Sequence, residues 1–305
     1  MSYHSITEIK NRCRREEIEF WKAIQLEDCQ ETALSEEDSW KEMGRMWQAM
    51  KESIDEYRPD RISGSGLVGS EGGLMEEYQK KGGALCGDFV SRVMAAALKM
   101  GCNNACMRRI VAAPTAGACG VLPAVLVTYC RERGPEEERM IQAMYVAAGV
   151  GQVIAHRAFL AGAAGGCQAE IGSASAMAAA AVCYAAGGSM DQMEHAAAMA
   201  LKNLLGLVCD PVAGLVEVPC VKRNVAGAVN ALAAADMALA GIESRIPADQ
   251  VFDAMREVGE KMDVSLRETG TGGVAASEAG REWAERLRQS QSESGMNQKG
   301  EGTYV

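Results

Sequence analysis

Three cysteines in this chain sit where thiols can do chemistry. Cys167 lies in Gly165-Gly166-Cys167-Gln168-Ala169-Glu170-Ile171-Gly172, and Cys209 and Cys220 bracket Cys209-Asp210-Pro211-Val212-Ala213-Gly214-Leu215-Val216-Glu217-Val218-Pro219-Cys220. Each occupies a break marked by glycine or proline, not the middle of an apolar face. Glycines beside a thiolate let backbone N–H groups turn towards sulfur, which suits a cluster carrying negative charge. Spacing alone does not decide the matter. The chain has no C-x-x-C, and the ten residues between Cys209 and Cys220 fit no zinc pattern in common use. On residue types alone, three structural thiols stand level with three metal ligands. Cys102 and Cys106 are spaced to share a helical face, and Cys13, Cys29, Cys86, Cys130 and Cys183 read like them as packing or incidental thiols. Cys119, beside glycines, stays open, with structure favoured.

The elements that must position these thiols are helices. The chain has 305 residues, 48% hydrophobic and 24% charged, as in ordinary globular proteins. Its net charge of −10 argues against nucleic acid or an anionic membrane as partner. The chain opens without the pattern of a secretory signal. Eleven cysteines then point to a reducing compartment, read as cytoplasmic. Ile171–Met190 is uncharged and long enough to raise a membrane question. Its Ala, Gly and Ser are too weakly apolar for a span, so it reads as a buried helix. Between Ala161 and Ala200 the acidic and basic residues are only Glu170, Asp191 and Glu194. Alternating strand patterns are nearly absent, so the fold class is all-α. Ala/Gly-rich buried helices are broken by loops at Pro114–Gly120, Gly165–Gly172 and Cys209–Asn224.

Residues 1–60 hold 24 charged side chains and form an amphipathic helical segment. Within it, Trp40, Met43, Met46, Trp47, Met50, Ile54 and Tyr57 follow helical spacing from a Ser35/Asp38 start to Pro59. The Gly-rich linker Ser63–Gly73 holds no GxGxxG after a clear strand and reads as turns. Residues 61–288 form the main helical domain, with a surface helix near Val251–Val264, a Gly-rich turn region at Gly270–Gly280 and a charged helix near Trp283–Arg288. Residues 289–305 read as a disordered tail.

Taken together, Pro114-Thr115-Ala116-Gly117-Ala118-Cys119-Gly120-Val121-Leu122-Pro123-Ala124-Val125, Gly166–Gly172 and Cys209–Asn224 resemble signatures of the iron–sulfur-dependent L-serine dehydratases, in the alpha half of that enzyme. The resemblance runs in order from the Ser63 loop to about Gly280. It implies that Cys167, Cys209 and Cys220 hold a [4Fe–4S] cluster. Three ligands for four irons leave one iron open, a Lewis acid that orients serine through its hydroxyl and a carboxylate oxygen. The products would be pyruvate and ammonia. The resemblance also gives Thr115 and the backbone around Gly117 a role in receiving the substrate carboxylate; a loop held by its own hydrogen bonds is the alternative. Arg223 and Asn224 could touch substrate or cluster, although a structurally paired Arg223 needs no such role. Glu170 reads as a paired buried carboxylate, with a proton relay as the minority reading.

There are departures from the family pattern. Ser70 stands where the family more often has glycine, and no terminal cysteine is present to reach the open iron. The family's Ser-Ser-Ser-His-Thr segment, which carries its proposed base, is absent as well. The chain's imidazoles are His4, His156 and His195, and the latter two lie in Ala-rich helical surroundings that favour a packing role. The expectation is therefore a site for L-serine closed by a beta subunit that supplies the base. The charge-poor helices and Met43–Met50 are candidate docking surfaces, with core packing an equal alternative. Two rival functions remain: a related iron–sulfur lyase that releases sulfide from cysteine, and a cluster-bearing redox subunit without turnover.

Overall fold

The computed structural model describes residues 3–299, the side chains of 291–299 excepted. Among the described residues it is all-α, as the sequence predicts, with thirteen α-helices and no sheet. No helix among them is long and apolar enough to cross a membrane.

Three amphipathic helices open the chain: α1 (Ile6–Glu16), α2 (Phe20–Thr32) and α3 (Glu36–Asp55). The Ser35 hydroxyl accepts a hydrogen bond from the Asp38 N–H and so starts α3 where the sequence places it. Trp47 and Met50 are 1% and 0% exposed within the core, so the Met43–Met50 stripe is mainly a packing stripe; Met46 alone of its large side chains stays exposed. The Gly-rich linker leads to α4 (Glu71–Lys80) and α5 (Gly87–Ala105), which pack on each other. Next come α6 (Val121–Arg133), α7 (Glu137–Arg157) and the single turn α8 (Gly162–Gly165). Gln168–Gly172 forms a π turn that runs directly into α9 (Ser173–Ala185). The chain continues through α10 (Met190–Lys202), α11 (Cys220–Leu239), α12 (Ala248–Lys261) and α13 (Glu278–Lys299).

Helix α9 is the hub, packed by α6, α7, α10 and α11. Every residue from Ser173 to Tyr184 is buried. Alanine on all sides lets four neighbouring backbones approach closely, which explains how a segment without an amphipathic stripe still forms a stable helix. Helices α2 and α3 lie on α7, and their buried side chains share one core with those of α9.

Two expected loops are more helical than the sequence suggests. Gly165–Gly172 is closed by the π turn, and the break at Cys209–Asn224 ends earlier, because Cys220–Asn224 form the first turns of α11. Helix α13 continues through 289–299, part of the expected 289–305 tail; the rest of that tail lies outside the described residues.

Candidate active site

The three thiols sit on segments that the fold brings together. Cys167 stands at the head of the π turn leading into α9, and Cys220 is the first residue of α11. Both therefore occupy helix N-termini, where the peptide dipoles favour negative charge on sulfur. Cys209 is fixed from the other side by a lone parallel bridge to Arg267. Its N–H donates to Leu266 O at 2.8 Å, and its carbonyl accepts from Glu268 N at 2.7 Å.

Gln168 locks the Cys167 turn. Its buried amide donates to Gly165 O (2.9 Å) and Met255 O (3.2 Å) and accepts from Gly206 N at 2.9 Å. This ties the turn both to α12 and to the strand of chain entering Cys209. Asn224 does the same for the Pro114–Gly120 loop. Its Oδ1 accepts from Gly120 N (2.8 Å), while its Nδ2 donates to Gly117 O (2.9 Å) and Cys220 O (3.0 Å). The loop carrying Thr115 and Gly117 is thus held against the first turn of α11.

Burial dominates the electrostatics. The Cys167, Cys209 and Cys220 side chains are all buried. Desolvation pushes the Cys167 thiol up to about 11 and the Cys220 thiol up to about 12. Cys209 is driven higher by the same burial, with Cys167, Glu170, Glu268 and Cys220 adding repulsion. One cation opposes this. The Arg223 guanidinium faces Cys167 and lowers its pKa, while pairing with Asp210 Oδ1 at 2.8 Å and donating to Val208 O at 2.7 Å. Asp210 in turn accepts from Val274 N at 2.7 Å, drawing the 270s segment onto the site.

Glu170 stands among these groups and forms no ion pair among the described residues. Its Oε2 lies 3.9 Å from Cys209 Sγ. Burial raises its pKa, with Glu268 adding to the rise; the Thr115 hydroxyl and Cys209 lower it. The Thr115 hydroxyl is buried and lies against Glu170, yet makes no hydrogen bond of good geometry. Gly162 is required by close approach: a Cβ there would stand 2.8 Å from Cys209 Sγ and 2.9 Å from Glu170 Oε2.

The donors here are sulfur, the type that iron–sulfur groups take. No three His, Cys, Asp or Glu side chains among the described residues come close enough to hold one metal ion. Thiolates that each bind a different iron of a cluster need not converge on one point. Cys119 does not join them. It is fully buried, with its sulfur 3.7 Å from Met100 O and its thiol raised to about 12 by burial.

The imidazoles have other surroundings. His4 and His156 pack ring to ring at 4.6 Å on the exposed end of α7, and His195 Nδ1 accepts from Ser244 N at 3.4 Å. Local sequence also gave no sign of several supporting groups. Ser63 and Ser65 in the Gly-rich linker both donate to Glu217, which ties that linker to the Cys209–Cys220 loop. Lys222 on α11 pairs with Glu71 at 3.2 Å. The bridging segment 266–268 holds Cys209 through its backbone and repels its thiol through Glu268; a buried Arg267 Nε without a hydrogen bond marks it in the fold.

Comparison with known proteins places these features in a family. The serine dehydratase alpha chain profile matches residues 15–275. A Bacillus subtilis protein named probable L-serine dehydratase, alpha chain, is 42% identical over 285 residues, covering 93% of this chain and 95% of that protein. The L-serine dehydratase alpha chain of Peptoniphilus asaccharolyticus is 50% identical over 204 residues, 67% of this chain and 70% of that protein. L-serine dehydratase TdcG of Escherichia coli is 45% identical over 181 residues, 59% of this chain but only 40% of its own length. The chain belongs to the serine dehydratase alpha chain family.

Proposed function

We propose that this chain is the alpha subunit of an L-serine dehydratase, an ammonia-lyase that converts L-serine to pyruvate and ammonia. Cys167, Cys209 and Cys220 would hold a [4Fe–4S] cluster. The observation that carries this reading is the gathering of three buried thiols on glycine- and proline-marked segments, two at helix N-termini, with the Arg223 guanidinium beside Cys167 and Cys220. When bound, the cluster supplies a Lewis-acidic iron with an open position, suited to a hydroxyl leaving group.

The chain's own residues do the rest of its share. Burial leaves the free thiols protonated at neutral pH, so ligation must expel protons. Arg223 balances negative charge at Cys167 while holding Asp210. The Thr115 hydroxyl and the backbone at Gly117 receive the substrate carboxylate, and Asn224 holds that loop in place through its three hydrogen bonds. A positioned base is still needed for the Cα proton, and the imidazole contacts lie elsewhere. A beta subunit supplies it. Relatives named as alpha chains and a much longer L-serine dehydratase matched over 40% of its length fit such a division. Eleven free cysteines fit a cytoplasmic location.

The test is an anaerobic assay of the complex with its beta partner. Pyruvate formed from L-serine is the expected result. Sulfide formed from cysteine in its place, or no turnover with a full cluster, would replace this reading by a desulfidase or a redox subunit.

A further inference from the structure

L-serine carries two charges beside its reacting carbons, and the Thr115–Gly117 loop accounts only for the carboxylate. The ammonium group also needs a partner. Four acidic side chains approach the site, and three are otherwise placed. Asp210 is engaged by Arg223 and by Val274 N. Glu217 is buried and takes the hydroxyls of Ser63 and Ser65. Glu268 is exposed, on the outer segment that bridges Cys209. Glu170 is the remaining one.

Resting on the reading of this site as an L-serine site, we infer that Glu170 receives the α-ammonium group of the substrate. The carboxylate is half-buried, neither sealed in the core nor free in water. It forms no ion pair among the described residues; Cys209 Sγ lies 3.9 Å away, the Thr115 hydroxyl lies against it, and the Glu268 carboxylate is near enough to repel it. Bare backbone faces it on two sides. A Cβ at Gly117 would stand 3.3 Å from Oε1, and one at Gly162 would stand 2.9 Å from Oε2. Both oxygens thus lie close against glycine main chain, which supplies them no charge. A carboxylate in such a setting is poorly solvated and gains strongly from an arriving cation. Glu170 also touches both the loop assigned to the substrate carboxylate and a thiol assigned to the cluster. An amino acid held at the loop and at Glu170 has two of its Cα substituents fixed by this chain. Its Cα–H can then be presented in one direction to the partner's base.

The test compares L-serine with 3-hydroxypropionate, which keeps the hydroxyl and carboxylate but lacks the amine. On the anaerobic alpha–beta complex, the wild type, Glu170→Gln and Glu170→Asp are compared by KM and kcat for L-serine and by the inhibition constant of 3-hydroxypropionate, together with iron content. Glu170→Gln should keep its iron, raise the KM for L-serine by about 30-fold or more, and change the inhibition constant of 3-hydroxypropionate by no more than about 3-fold. Glu170→Asp, which keeps the charge, should retain most of the preference for the amine. Equal weakening of both ligands, or an unchanged KM for serine, overturns the assignment, and loss of iron from both variants moves Glu170 to the cluster. A wild-type complex that holds its cluster but turns over no serine defeats the parent reading instead. A wild-type KM for serine in an iron-replete Glu170→Gln complex defeats the ammonium assignment alone.

Discussion

Helix α9 and the thiol site are neighbours in sequence and opposites in design. From Ser173 to Tyr184 the helix is buried among four others, and its side chains are small and mostly apolar. Of its polar groups, the Ser175 hydroxyl donates to Gly227 O at 2.8 Å, whereas the buried Ser173 hydroxyl makes no hydrogen bond. One turn earlier, Cys167 and Glu170 are surrounded by groups that the chain does not satisfy. Three thiols are kept neutral by burial, the Thr115 hydroxyl and Arg267 Nε lack hydrogen bonds, and a carboxylate has no cation. Small side chains packed on all sides account for the hub, whereas the site gathers sulfur, carboxylate and guanidinium in one place. The π turn at Gln168–Gly172 marks the boundary, as such turns commonly do near functional positions.

Substitutions should separate the two regions. The largest effect is expected from Cys167→Ser, Cys209→Ser or Cys220→Ser in anaerobically prepared protein. Each should lose the visible chromophore and reduce iron from about four per chain, with turnover falling to background. Normal iron in any one variant removes that residue from the ligand set. A core change should do the reverse. Trp47 is 1% exposed on α3, so Trp47→Ala should cost about 4 kcal/mol of folding stability in denaturant titrations. Iron per folded chain should stay unchanged; a matching loss of iron would erase the distinction between hub and site.

Arg223 tests the seam. Arg223→Met leaves Asp210, a side chain 3% exposed, without its ion partner, at a cost of about 3 kcal/mol. Iron should be lost faster under air than in the wild type, because charge balance at Cys167 is gone. An unchanged bleaching rate would reduce Arg223 to a structural pair. A smaller effect concerns pH. Below pH 9.0 the Cys167 thiol is neutral both folded and unfolded. As pH rises from 9.0 to about 11, the unfolded thiol ionises first, so the iron-free fold loses stability across that window. Cys167→Ser should show a shallower fall in its denaturation midpoint over the same range. An identical fall would show that Cys167 does not titrate as its burial requires.

Much of this was legible in the sequence because local chemistry encodes it. A charge-poor Ala-rich run can be little other than a buried helix, and Ser35 and Asp38 mark the start of α3 by capping alone. Cys167, Cys209 and Cys220 stood out through their glycine and proline settings. What stayed hidden depends on contacts across long stretches of chain. Nothing near Glu217 indicates Ser63 and Ser65, more than 150 positions away. Nothing near Cys209 indicates that residues 266–268 will clamp its backbone. Glu170 was expected to be paired; it forms no ion pair among the described residues, and nothing in its local sequence shows that Gly117 and Gly162 will lie against its carboxylate.

On the proposed division of labour, this chain builds the cluster half of a site and its partner brings the base. Reconstituting the cluster in the isolated chain and following pyruvate from L-serine with and without the beta subunit tests this. A full iron complement is expected in both samples, with turnover only when the partner is present. Full turnover by the isolated chain would contradict it and return the search for a base to His156 and His195.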